Sequence, residues 1–277
     1  MPPPPLSFCV HPFAAVDEGL DRILRFDQGL GEIAWTYPLK EKCRSLQWLP
    51  SGVLLAACDT GFLEIDSASG QLRRTKRIAD TGVISVERLS NGHTLLGGVG
   101  LTKSDTIEFL ELDSRGTLFR STQFSGDYVR RSSATRQNTI LFTCDTCVNE
   151  GDWSGRLVRK FSIPGFRHAW KALRAADGTT FISAGYGAFI VQCDQDGQEL
   201  RRWHCASDRE EIRPFFFGDF TPLPNGGILV CNWLGHGSDL GASGYSLLEF
   251  AADGALVGAW RDSRHTSSLQ TFALSPR

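Results

Sequence analysis

Apolar positions along this chain fall in short runs cut by turn residues, and the runs recur. The clearest unit spans Arg44 to Asp66. Arg44-Ser45-Leu46-Gln47-Trp48-Leu49 alternates polar and apolar, Pro50-Ser51-Gly52 turns, and Val53 to Cys58 is a second apolar run. After Asp59-Thr60-Gly61 comes a third, Phe62 to Asp66. Short alternating or continuous apolar runs between turn residues predict β-strands, and no long stretch carries the 3.6-residue period of a helix. Turns of the first type recur at Ser90-Asn91-Gly92, Arg136-Gln137-Asn138, Ala176-Asp177-Gly178 and Pro224-Asn225-Gly226. Their spacing of about forty to fifty residues is a propeller-blade period. A second turn follows in most units, at Ser69-Gly70, Arg115-Gly116, Ser154-Gly155, Asp196-Gly197 and Asp253-Gly254. Each unit therefore reads as four antiparallel strands, A to D, with tight A–B and C–D turns.

Five complete units are expected, at about 41–80, 81–127, 128–166, 167–213 and 214–264. Ser268-Leu269-Gln270 repeats Ser45-Leu46-Gln47, so the C-terminal end offers the strand A of a sixth unit. The N-terminal end supplies the rest: Leu6 to Val10 as strand B, Ile23 to Asp27 as C and Glu32 to Tyr37 as D. The fold class is an all-β six-bladed propeller forming one domain over 1–277, with seven blades the rival count. Closure by both termini removes open sheet edges.

Composition narrows the partners. The 277 residues carry 29 basic and 31 acidic side chains, a net charge of −2, so nothing points to nucleic acid or a membrane surface. Met1 to Pro5 carries no basic n-region and no apolar run reaches membrane-spanning length, so neither a signal peptide nor a membrane span is expected. The expectation is a cytoplasmic monomer whose eight cysteines are mostly buried thiols. Cys144 and Cys147 form a lone C-x-x-C that straddles the B–C turn of the fourth blade, counting the closing blade as the first; zinc is not expected there.

The A–B and C–D turns are uniformly tight, whereas long segments occur at His11 to Leu20, Gly100 to Asp105, Ala206 to Arg213 and Leu234 to Gly244. These belong to the opposite face, which is where a site is expected. Strand A starts there present Arg44, Tyr128, Arg130, Arg131, His168, Trp170, Lys171 and Asp219; strand B ends present Asp59, Asp145, Tyr186, Asn232 and Trp233. Such a mixture suits a polar small-molecule pocket. His168 is the candidate acid or base, because imidazole titrates near neutrality, with Tyr128, Tyr186 and Asp219 as further catalytic candidates. Arg44, Arg131, Lys171 and Asn232 would bind polar groups, Trp170 and Trp233 would form an apolar wall, and His236 sits in a glycine-rich loop able to close on a ligand. Asp59 and Asp145, in repeated Cys-Asp-Thr tripeptides, either accept backbone bonds in their turns or act as channel acids that could hold calcium. Phe215-Phe216-Phe217 reads as core. Cofactor expectations are none or Ca²⁺.

Gln47-Trp48-Leu49-Pro50-Ser51-Gly52-Val53-Leu54-Leu55, echoed by Thr221 to Leu229, resembles the repeat of quinoprotein-like and arylsulfotransferase-like propellers. The resemblance implies a propeller around a central funnel and carries no catalytic residue across. The vicinal cysteine pair of quinoprotein alcohol dehydrogenases is missing, which speaks against a quinone. The functional expectation is small-molecule binding in the funnel, with hydrolase, lyase or isomerase activity. The alternatives are a protein-interaction scaffold and a calcium-assisted, lactonase-like hydrolase.

Overall fold

The structure, a computed structural model, describes residues 12–27, 32–102, 105–205 and 209–276. The chain begins with β1 (Phe13–Asp17), β2 (Arg22–Asp27) and β3 (Glu32–Pro38). The second blade holds β4 (Cys43–Leu49), β5 (Val53–Cys58), β6 (Gly61–Asp66) and β7 (Leu72–Arg77). The third holds β8 (Val83–Arg88), β9 (Thr94–Val99), β10 (Thr106–Leu112) and β11 (Leu118–Ser125). The fourth holds β12 (Ser132–Ala134), β13 (Ile140–Thr143), β14 (Val148–Gly151) and β15 (Leu157–Phe161). The fifth holds β16 (Ala172–Arg174), β17 (Thr180–Ser183), β18 (Phe189–Cys193) and β19 (Glu199–His204). The sixth holds β20 (Phe216–Pro222), β21 (Ile228–Trp233), β22 (Leu247–Phe250) and β23 (Leu256–Trp260). The last strand, β24 (Leu269–Leu274), pairs antiparallel with β1, so the first blade runs β24-β1-β2-β3. All six sheets have four strands, as the repeat requires.

One strand of the closing blade differs from expectation. Leu6 to Val10 lies outside the described residues, and the strand B position belongs to β1, inside the segment His11 to Leu20 that was read as a long loop. What remains of that loop is a single 3₁₀ turn at Glu18–Leu20. Every residue of β1 is buried, because its two faces pack on two neighbours. Ala14 and Val16 meet Leu54, Ala56 and Ile65 of the second blade, while Phe13 and Ala15 meet Leu229, Cys231 and Leu247 of the sixth. Among the described residues no helix is long and apolar enough to cross a membrane.

The repeated turns have one mechanism. Gly52, Gly92, Asn138, Gly178 and Gly226 each donate a backbone N–H to the carbonyl three residues earlier, and each has positive φ. Glycine tolerates that conformation because it has no Cβ, and asparagine is the usual substitute. The C–D turns share such a glycine bond, and in four blades an aspartate at the end of strand C holds them as well. The carboxylates of Asp66, Asp113, Asp152 and Asp194 each accept two backbone N–H groups from the following turn.

Inner strands are stitched across blades as well as within them. Ser45 and Ser85 donate to the carbonyls of Val86 and Ser132, and Ser133 donates to that of Ala172. These contacts leave the starts of the inner strands converging on the axis at one face, together with the D–A connections and B–C loops.

Candidate functional site

On that face a cavity of about 370 Å³ opens along the axis, within the size range of small-molecule sites. Among the described residues, every blade but the third lines it. Its aromatic wall comes from the fifth and sixth blades. Trp170 precedes β16, Tyr186 follows β17, Phe216 opens β20 and Trp233 ends β21. Trp170, Phe216 and Trp233 are nine-tenths or more buried and pack edge to face, with Phe216 5.5 Å from Trp170 and 5.4 Å from Trp233. Tyr186 closes on Phe216 at 4.8 Å. The indole Nε1 of Trp170 is buried with no hydrogen-bond partner among the described residues. The Phe215-Phe216-Phe217 run thus divides: Phe217 is core, Phe216 is cavity wall, and Phe215 is exposed.

The opposite side is polar. Lys42 comes from the connection into β4, Arg44 from the start of β4 itself, Arg130 from the connection into β12, and Glu18 and Asp21 from the turn after β1. Glu18 is fully engaged: one carboxylate oxygen accepts from Trp233 Nε1 at 2.9 Å and the other meets His236 Nδ1 at 2.7 Å. His236 is thereby fixed to the closing blade rather than left as a free loop tip. Arg44 pairs with Asp59 at 2.7 Å. Lys42 and Arg130 have no carboxylate partner among the described residues; the Arg130 guanidinium lies 4.2 Å over the Tyr128 ring.

His168 stands between these two sides. Its φ of 56° is left-handed, which costs a non-glycine residue about 1 kcal/mol or more and needs local restraint. The restraint is visible. Asp145 Oδ1 accepts the His168 backbone N–H at 3.1 Å, and the Asp145 carbonyl accepts that of Ala169 at 3.0 Å. The ring meets Tyr128 Oη at 2.7 Å through Nδ1 and Asp145 Oδ1 at 3.5 Å through Nε2. Burial raises the Tyr128 pKa above its usual value, and Arg130 pulls the other way.

Arg131 and Lys171, expected to bind ligand, and Asp219, expected to be catalytic, do not line the cavity. Arg131, Lys171 and Thr271 each follow a lining residue by one position, and Asp219 lies three after Phe216. They form a buried cluster. Lys171 Nζ donates to Asp219 Oδ1 at 2.6 Å, Arg131 bonds Oδ2 at 3.2 Å, and Thr271 donates to the same oxygen. Burial alone would push the Asp219 pKa up, but the two cations outweigh it and hold it low. Burial depresses the Lys171 pKa, against the pull of Asp219. Removing Asp219 would leave two buried cations without their carboxylate, so this cluster supports the fold beneath the site. Asn232 is likewise structural in position: its amide donates to Arg213 O and Tyr245 O and accepts the Phe215 N–H.

Asp59, in the second blade, pairs with Arg44, and Asp145, in the fourth, meets His168. Among the described residues no three His, Cys, Asp or Glu side chains gather as a metal set. Cys144 and Cys147 do straddle a B–C turn, with Cys144 N donating to Cys147 O at 2.7 Å, and burial pushes the Cys144 thiol up to about 12. The seven cysteines among the described residues are free thiols.

No protein-family model matches the sequence, and no curated protein sequence does. Solved structures do match in shape. A protein of unknown function from Bacteroides caccae superposes with a TM-score of 0.81 at 21% identity, over 96% of this chain and 99% of its own. The WD40 β-propeller domain of Doa1 gives a TM-score of 0.62 at 14% identity, over 94% of this chain and 82% of that one. A streptogramin B lyase gives 0.62 at 14% identity, over 95% and 83%. At such identities the likenesses carry fold alone, and they agree with the sheets: this chain is a β-propeller, here of six blades, closed by its own two ends.

Proposed function

We propose that the funnel binds a compact molecule with an aromatic or otherwise flat apolar body and an anionic group, and acts on it by acid–base chemistry as a hydrolase, lyase or isomerase. The observation that supports this is the split lining: Trp170, Tyr186, Phe216 and Trp233 on one side, the unpaired cations Lys42 and Arg130 on the other, and His168 with Tyr128 between them. A stacked ring satisfies the first side and a carboxylate or phosphate the second. The enclosed, half-polar funnel fits such a ligand better than the apolar rim a protein-docking face would need. The solved streptogramin B lyase lends the lyase option only its shared fold. The Trp48-Leu49-Pro50-Ser51-Gly52 grammar supports a quinoprotein-like relationship at the level of the repeat.

Calorimetric titration with benzoate and phenylphosphate tests the reading, with cyclohexylamine as the control. Both anions are expected to bind and the amine not. Lys42→Ala and Arg130→Ala should each weaken anion binding about tenfold, the worth of one charge-assisted contact. Equal binding of anion and amine, or anion binding indifferent to both substitutions, would exclude the proposal.

A further inference from the structure

Both ring nitrogens of His168 already have a neighbour: Nδ1 has the Tyr128 phenol at 2.7 Å, and Nε2 has the Asp145 carboxylate at 3.5 Å. Nδ1 is taken by a close hydrogen bond to the phenol, and Nε2 faces the carboxylate. Tyr128 and His168 line the funnel together with Arg130, whereas Asp145 does not. Asp145 instead borders a shallow groove of about 270 Å³ on the far side of the imidazole, with Thr146, Arg167 and Tyr186. The three groups therefore run outward from the cavity in the order Tyr128, His168, Asp145. From this order we infer that Tyr128 is the proton-transferring residue that faces the ligand, with His168 as its proton acceptor and Asp145 as the positioning residue behind it. The inference rests on the funnel being the ligand site.

At rest the phenol O–H donates to Nδ1, and the ring proton sits on Nε2, toward Asp145. In the forward step a C–H or O–H proton of the ligand passes to Tyr128 Oη while the phenol proton passes to Nδ1. The electron pair of the broken bond stays on the ligand. One proton has left the ligand, one has reached His168, and the imidazolium faces the Asp145 carboxylate. No oxidant or reductant is required, and the reverse step returns the proton. The arrangement follows the general rule for activated groups: a reacting hydroxyl, a base within hydrogen-bond reach, and a third group orienting the base. Arg130, stacked on the phenol ring, favours negative charge there as the proton moves. Burial keeps Tyr128 protonated at rest, so the two proton moves are coupled. The other groups facing this relay are Tyr186, edge-on to the imidazole at 5.4 Å, and Arg167, 6.0 Å from the Tyr186 ring centre.

Histidine side-chain ¹⁵N NMR of the full chain tests this without a substrate, with His168→Asn assigning the signals. At pH 8 the wild-type protein should show Nδ1 as an unprotonated acceptor and Nε2 protonated. Tyr128→Phe removes the donor to Nδ1, and Asp145→Asn removes the carboxylate beside Nε2, so each should raise the share of the Nδ1-protonated tautomer. An Nδ1-protonated tautomer in the wild type overturns the inference without reference to any variant. So does a tautomer balance that either substitution leaves unchanged. Failure of benzoate to bind would sink the funnel reading and leave this spectrum unchanged; the wrong tautomer would sink the relay and leave binding unchanged.

Discussion

Glu87 in β8 stands where Gln47 stands in β4, and the pair shows how one atom changes the pH response of a shared contact. Gln47 receives the Arg88 N–H at 2.6 Å and returns a bond to the Arg88 carbonyl. Glu87 receives the Ala134 N–H at 2.9 Å, as the same element of the next blade. Burial pushes its pKa up to about 7, against the lowering pull of Ala134 N–H, Arg131 and Lys171. A folded pKa above the unfolded one means the protonated form favours folding. That contribution is complete below about pH 4.5 and is lost as pH rises through about 7. Glu87→Gln should therefore stabilise the protein at pH 8 by about 1 kcal/mol, less than the full linkage value because the side chain is only half-buried. The gain should shrink as pH falls toward 5. Urea unfolding at the two pH values checks this, and a more stable wild type at pH 8 would refute it. At this scale the sequence exposed part of the site. Tyr128, His168, Trp170, Tyr186 and Trp233 were legible because strand ends place them. Arg131 and Lys171 were not separable from Arg130 and Trp170, because neighbours in a strand point to opposite faces and a list of positions does not say which. Lys42, Glu18 and Asp21 lie in connections, where no period marks them.

Among elements, the A–B turn is the most uniform, and it isolates the energetic role of glycine. Gly92 has a φ of 83°, and a Cβ added there would meet nothing within 4 Å. Gly92→Ala should then cost about 1 kcal/mol from backbone strain alone, with no clash to relieve. Asn138 has a φ of 60° at the matching place, and its Oδ1 accepts a bond from Arg120. Asn138→Gly trades that exposed bond for a relaxed backbone and should change stability by no more than about 0.5 kcal/mol. Thermal unfolding of the two variants separates these outcomes; an alanine tolerated at position 92 would show that the turn can adopt another type. Turns were readable in the sequence because their chemistry is local. Strand β1 was not, since Phe13-Ala14-Ala15-Val16 is buried on both faces and has no alternation to separate it from the apolar run at Leu6 to Val10.

For the whole molecule, the ring is closed by residues some 250 positions apart. Asp17 is wholly buried, and its carboxylate accepts the backbone N–H groups of Ser267 and Ser268 at the entry to β24. Burial nonetheless raises its pKa, ahead of those bonds and of Arg22, so the clamp is held against a desolvation cost. Beside it, Trp260 packs edge-on against Phe13 and Phe26 at 5.2 and 5.3 Å, tying the sixth blade to the first. Loss of β24 would uncover the β1 edge and the apolar face of Phe13, Ala15 and Leu24, the kind of surface that aggregates. A chain ending at Arg264 should therefore be insoluble or molten when expressed alone. A synthetic peptide of residues 265–276 should restore a soluble, cooperatively melting protein, because the missing strand supplies both the ladder and the side chains that fill the wedge. If the shortened chain stayed soluble with the melting temperature of the full one, the ring would not depend on its terminal strand. The funnel mouth gives a second readout. Glu18 follows β1 directly and holds both Trp233 and His236, so benzoate affinity should fall in the shortened chain and return with the peptide. Recovery of solubility without recovery of binding would mean that closure and site are set by different contacts.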